Sequence, residues 1–191
     1  MICALLNKVS VMAEQFSSLS PELIEWIGDQ HVYFVATAAR TGRVNLSPKG
    51  QDSLRVVDAN QLIWLNLTGS GNETAAHLID SNRITLMWCA FEGLPRILRI
   101  YGSAETIHPR DTAWDSCAAL IPPPTGARQY FRVHVDLVQT SCGYAVPLMD
   151  YNQDREILTA WADKRGTQGI QDYWAERNQV SIDGLPTRVL D

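Results

Sequence analysis

Short runs of alternating or continuous apolar residues dominate the first two thirds of the chain, each bounded by turn formers. His31–Ala39 (HVYFVATAA) is rich in β-branched and aromatic residues and reads as a strand. Thr41-Gly42 makes a turn, and Val44–Pro48 returns as its partner. Ser53–Val57 and Gln61–Leu67 flank Asp58-Ala59-Asn60, and Ile84–Phe91 and Arg96–Ile107 flank Glu92-Gly93-Leu94-Pro95, giving two further hairpins. Tyr130–Val138 is the last strand.

Helical spacing appears in four places. Ser20 caps a first helix from Pro21 to about Gly28, whose Leu23, Ile24 and Ile27 form one stripe. A second helix begins near Asn72, and a third follows Pro109 and ends before Pro122–Pro124. The span Gln153–Asn178 holds one or two amphipathic helices, interrupted near Gly166. Hairpin spacing with few βαβ units predicts a mainly β protein with flanking helices, its strands curled into a closed or nearly closed barrel. The 191 residues suit a single domain. Its barrel core spans 20–147 and its C-terminal helical extension 148–191.

Charge and cysteine usage narrow the function classes. A net charge of −5 argues against a broad nucleic-acid or membrane-surface face. No apolar run approaches the ~20 residues of a membrane span. Cys3, Cys89, Cys117 and Cys142 are scattered and the four histidines form no ligand motif, so no metal site is expected. The opening MICALLNKV lacks the features of a signal peptide, and Met12 is a second candidate start. The chain reads as cytoplasmic with reduced thiols.

Three segments carry candidate chemistry. In N45-L-S-P-K-G50, alternation puts Asn45, Ser47 and Lys49 on one face. An amide, a hydroxyl and an ammonium in a row suit a ring with carbonyl edges, or equally a wet barrel rim. In L65-N-L-T-G-S-G-N-E-T-A-A-H77 a strand ends, a glycine-rich turn follows and a helix opens. Free backbone N–H groups make such a junction a phosphate cradle, with Thr68, Ser70, Asn72 and Thr74 as further donors. Plain capping by Asn72, or by a Ser70/Glu73 box, competes with that reading, and Glu73 would repel a dianion unless its side chain turns away. In R96-I-L-R-I-Y-G102, Arg96 and Arg99 sit among apolar neighbours and call for partners, a salt bridge being expected for at least one.

The order of these segments, followed by NRITLMW and RILRIYGSAE, resembles the FMN-binding split-barrel family that includes pyridoxamine 5′-phosphate oxidase. The resemblance covers His31–Ile107, and more weakly Phe131–Pro147. It implies a homodimer with FMN at the subunit interface. Asn45, Ser47 and Lys49 would face the flavin ring and ribityl chain, and Leu65 and Asn66 the ring. Thr68, Asn72 and Thr74 would receive the phosphate, and Arg99 would reach the ring from the partner subunit. The chain departs from the oxidase proper at three points: Thr74-Ala75 replaces an Arg-Lys pair, Ser141 or Cys142 replaces a tryptophan, and an Arg-x-His pair is missing. It therefore resembles a generic member rather than the vitamin B6 oxidase. The expected function is an FMN-dependent oxidoreductase acting on a small molecule or electron donor. The alternative is a non-catalytic flavin or haem binding or sensor protein on the same barrel. Cys142 reads as a small strand-end residue or a thiol beside the flavin, and His77 and His134 as satisfied structural histidines. Trp161 and Trp174 read as packing residues or as a lid.

Overall fold

Strand pairing follows the turn signals closely. In a computed structural model that describes residues 13–191, the elements are β1 (Glu14–Phe16), α1 (Pro21–Gly28), β2 (Tyr33–Ala38), β3 (Val44–Lys49), β4 (Leu54–Asp58), β5 (Gln61–Leu67), α2 (Glu73–Asp80), β6 (Ile84–Cys89), β7 (Arg96–Ile107), α3 (Trp114–Ala118), β8 (Ala127–Cys142) and α4 (Ile157–Arg177). Cys3 and the candidate start at Met12 lie outside the described residues.

All the strands join one antiparallel sheet in the order β3-β2-β6-β7-β8-β5-β4, with β1 added beside β8. β3 and β4 are the two ends of that path, so the barrel is split along the seam between them. The interior is filled by inward-facing residues of every central strand, among them Val35, Leu62, Trp64, Leu86, Trp88, Leu98, Ile100, Phe131 and Val133. α1 closes one end of this core with Leu23 and Ile27. Its start is fixed by Ser20, whose hydroxyl accepts the Leu23 N–H at 3.3 Å. A second apolar layer, built from Ile63, Leu65 and Tyr130 with Cys117 and Ile121, seats α3 on the opposite face of β5 and β8.

The longest ladder, β7 on β8, shifts register between Tyr101 and Gly102. There the two backbones approach so closely that a Cβ on Gly102 would stand 1.9 Å from the His134 carbonyl oxygen. The three free thiols among the described residues are Cys89, Cys117 and Cys142. No helix among these residues is long and apolar enough to cross a membrane.

The structure changes some element bounds. β1 has no alternating pattern to announce it and exists only by pairing with β8. β8 runs past Val138 through Gln139-Thr140-Ser141-Cys142, because β7 continues to pair with these polar residues. The C-terminal span forms one helical element broken at Gly166, whose φ of 65° leaves the helix. Neither Arg96 nor Arg99 gains the expected carboxylate among the described residues. Arg96 lies over the Trp26 ring, 5.5 Å from its centroid, and Arg99 donates to the Ser141 hydroxyl at 3.3 Å.

Candidate functional site

β3 is an edge strand, and its alternation splits it into two unlike faces. Val44, Leu46 and Pro48 point outward, while Asn45, Ser47 and Lys49 are half-buried and turn toward the seam. Across the seam lie the end of β5, the glycine-rich turn and the first turn of α2. Together they enclose a cleft of about 430 Å³ lined by Asn45, Ser47, Lys49, Asn66, Asn72 and Thr74. Six of the nine residues predicted to hold the cofactor thus meet in one cavity. The two halves touch directly, since the Asn45 amide donates to Thr74 Oγ1 at 3.3 Å.

The other three lie outside it. The Leu65 side chain points to the opposite face of β5, into the layer under α3, because it alternates with Trp64 and Asn66. Thr68 is a structural bolt: its hydroxyl donates to the Gly126 carbonyl at 2.7 Å and accepts the Trp174 indole N–H at 2.8 Å. Trp174 therefore fastens α4 to the barrel beside the glycine turn. Arg99 does not line this cleft within its own protomer. Cys142 ends β8 opposite Arg96 and is likewise absent from the lining.

Capping does not consume the α2 terminus. Asn72 occupies the N-cap position but makes no side-chain cap bond. Its amide is instead paired reciprocally with Gln129, at 2.7 and 3.3 Å. The Glu73 carboxylate turns to the Ile182 N–H, both oxygens at 3.1 Å, so no capping box forms. The first-turn N–H groups keep the partial positive charge that attracts anions.

Three cations line the cleft: Arg43, which is paired with Asp183, and the two that matter to a ligand, Lys49 and Arg128. Lys49 Nζ lies 5.2 Å from the Trp64 ring centroid, inside the barrel mouth. Burial, and then the charge of Arg128, pull its pKa down to about 8. Arg128, on β8, lines the same cavity and is only 3% exposed. Its Nη1 donates to the Gly71 carbonyl at 3.0 Å and to Asn178 Oδ1 at 2.6 Å, while its Nε has no partner. Burial lowers its pKa to about 9, which still leaves it charged at neutral pH. His77, also in the lining, bonds Thr37 Oγ1 through Nδ1 at 3.1 Å, but its buried Nε2 is unpartnered. It is thus only half satisfied, whereas His134 sits 3.3 Å from Glu105 on the surface.

Sequence reasoning missed Arg128, which stands at the foot of β8, just before the aromatic run that marked the strand. The signal available was an arginine two residues before a buried aromatic pair, Tyr130-Phe131. A larger cleft of about 910 Å³ opens on the other side of Lys49, lined by Trp26, Phe34, Pro48, Phe91 and Tyr151 among others. Its accessible surface is mainly apolar but carries four carboxylates, Asp29, Glu92, Asp150 and Asp154, against three cations, Lys49, Arg96 and Arg155. It contains none of the buried unpartnered polar atoms. The smaller cavity has the chemistry of an anion site: Lys49 and Arg128, neither in a salt bridge among the described residues, a free helix start and the unpartnered Nε–H of Arg128. Arg43 in the same lining is paired with Asp183, and the Glu73 carboxylate is held by Ile182.

The comparisons bear on the family and the fold. The family model described as pyridoxamine 5′-phosphate oxidase matches residues 19–142. The chain is 32% identical over 189 residues to the pyridoxamine 5′-phosphate oxidase family protein ustO of Aspergillus flavus, covering 90% of this chain and 76% of that one. Among solved structures, HupZ of Group A Streptococcus superposes with a TM-score of 0.50 at 22% identity, covering 62% of this chain and 91% of that one. A candidate pyridoxamine 5′-phosphate oxidase from Lactobacillus delbrueckii gives 0.51 at 18% identity, covering 64% and 94%. These two likenesses concern the fold alone. With a match across the whole barrel and a relative above 30% identity, the chain belongs to the pyridoxamine 5′-phosphate oxidase family.

Proposed function

We propose that the cleft between β3 and α2 binds FMN and that the protein is an FMN-dependent oxidoreductase acting on a small molecule. The observation that carries this reading is the meeting of a polar strand face and an uncapped helix start in one cavity. FMN is long, with a dianion at one end and a carbonyl-edged ring at the other. Its phosphate suits the glycine turn and α2, and its ring suits Asn45, Ser47 and Lys49. When bound, FMN accepts and returns electron pairs, and the protein supplies position and electrostatics. Lys49 would supply a positive charge to stabilise the negative charge of the reduced ring. The larger cleft beyond Lys49 gives a substrate or electron donor room beside the ring.

The purified protein is expected to be yellow, and calorimetry on the apoprotein should show FMN binding. A Soret band, or a colourless protein indifferent to added FMN, would sink this reading. Lys49→Met should weaken FMN binding roughly 10-fold, a typical worth for a charge-assisted hydrogen bond. The pH dependence has a definite sign. FMN is an anion and favours protonated Lys49, and the free protein loses that proton as pH rises through about 8. Affinity should therefore fall from pH 7 to 9.5 in wild type, first as Lys49 and then as Arg128 loses its proton, and Lys49→Met should remove the part of the decline centred near pH 8.

A tricyclic ring in an open seam needs a cover, and a second copy of the chain is the cover we propose. Val44 and Leu46, 73% and 64% exposed on the outer face of β3, are unusual residues to leave in water. Sedimentation should show a dimer. Leu46→Glu should give monomers with weakened FMN binding, whereas a wild-type monomer that binds FMN tightly would refute the cover.

A further inference from the structure

Among the described residues, Arg128 is a buried guanidinium with no carboxylate in salt-bridge reach. Such a charge is costly to bury unless something compensates it. Both of its hydrogen bonds leave from Nη1, to Gly71 and Asn178, and its Nε–H is unanswered. Glu73 is near enough to favour its charge, but that carboxylate is held by the Ile182 N–H on the C-terminal loop. Lys49 faces the same cavity as a second positive charge, and the Arg128 charge helps to lower its pKa, so it offers Arg128 no compensation. A dianion placed here would meet two cations and the uncapped start of α2 at once.

We infer that Arg128 is the residue that binds a terminal phosphate in this cleft, and that Asn178 positions its guanidinium to do so. The inference deepens the FMN reading and rests on it for the identity of the ligand, a phosphate monoester. It gives the C-terminal extension a role in the site, because Asn178 lies beyond the segment matched by the family model. Asn178 is fully buried, and its side chain bridges two parts of the cavity: Oδ1 accepts from Arg128 and Nδ2 donates to the Gly69 carbonyl at 3.1 Å. One amide thus ties the cation to the turn beside it. Thr187 in turn anchors Asn178, donating its hydroxyl to the Asn178 carbonyl at 2.6 Å. Asn178 is a positioning residue and Arg128 the binding residue.

The test compares FMN, riboflavin and inorganic phosphate on apoprotein in phosphate-free buffer. Affinities come from flavin fluorescence and calorimetry, and folding is checked by thermal melting. Wild type should prefer FMN to riboflavin, and phosphate should raise its melting temperature. Arg128→Gln should shrink the FMN-to-riboflavin preference by roughly 10- to 100-fold and abolish stabilisation by phosphate. Arg128→Lys and Asn178→Ala should each lose part of the preference. A folded Arg128→Gln protein with the wild-type preference overturns the inference. If that variant does not fold, an unchanged preference in both other variants overturns it. Wild type that ignores both flavins, yet is stabilised by phosphate through Arg128, keeps the anion subsite and refutes the FMN reading. Wild type that ignores phosphate as well refutes both.

Discussion

Gly102→Ala is expected to yield little folded protein. The added Cβ would stand 1.9 Å from the His134 carbonyl oxygen, and the obstacle is backbone, not a side chain that can swing aside. Relief requires β7 and β8 to separate at their register shift, in the middle of the longest ladder of the sheet. A cost of about 3–5 kcal/mol is expected, at the upper end for single substitutions and a large share of a domain's total stability. Chemical denaturation and soluble yield measure it. Gly28→Ala is the control, since nothing lies within 4 Å of its Cβ position. A Gly102→Ala midpoint within about 1 kcal/mol of wild type would show that the ladder has more give than its geometry implies.

Trp64→Ala should cost a similar amount and damage the site as well. Trp64 is fully buried, stacks on Phe131 with ring centroids 4.7 Å apart, and carries the Lys49 ammonium over its own ring, 5.2 Å from the centroid. Truncation leaves a large cavity, for which about 3–5 kcal/mol is typical. It also removes the seat of Lys49 and admits water beside it, so the lysine pKa should climb back toward its ordinary value. The decline of FMN binding with pH should then move above the wild-type range. Trp64→Phe is informative because the Trp64 indole N–H has no hydrogen-bond partner. It sacrifices no hydrogen bond, keeps an aromatic surface under Lys49 and should cost below about 1.5 kcal/mol. Denaturation midpoints and pH-dependent calorimetry on the two variants separate packing from electrostatics. Equal losses in both would defeat this account.

The sequence pattern revealed those parts of the fold that are written locally. β5 and β7 begin and end where their apolar runs do, and α1 begins where Ser20-Pro21 signals. The donor row on β3 was legible because strand alternation needs no partner to be read. What escaped notice depends on distant contacts. β1 is three residues whose only definition is the strand opposite, and the end of β8 is polar sequence held extended by β7. Thr68 looked like a phosphate donor because the turn is rich in hydroxyls, yet its oxygen is engaged by Gly126 and Trp174. Arg128 sits in TGARQY, which reads locally as the exit of a turn. Its burial follows from packing among Gly71, Asn178 and the start of α2, and no local window contains those partners.

The clasp formed by the C-terminal loop has a consequence for the order of events during synthesis. Asn178 reaches the Gly69 carbonyl across 109 positions, Ile182 reaches Glu73 across the same separation, and Asp183 meets Arg43 across 140. Contacts so distant along the chain form late, after the loop-closure entropy has been met. The barrel strands can pair while translation continues, but the ligand cradle stays unfinished until the last helix has emerged. If the cleft holds FMN as proposed, loading should follow translation. A nascent chain stalled before residue 178 should assemble the sheet without gaining the ability to retain its ligand.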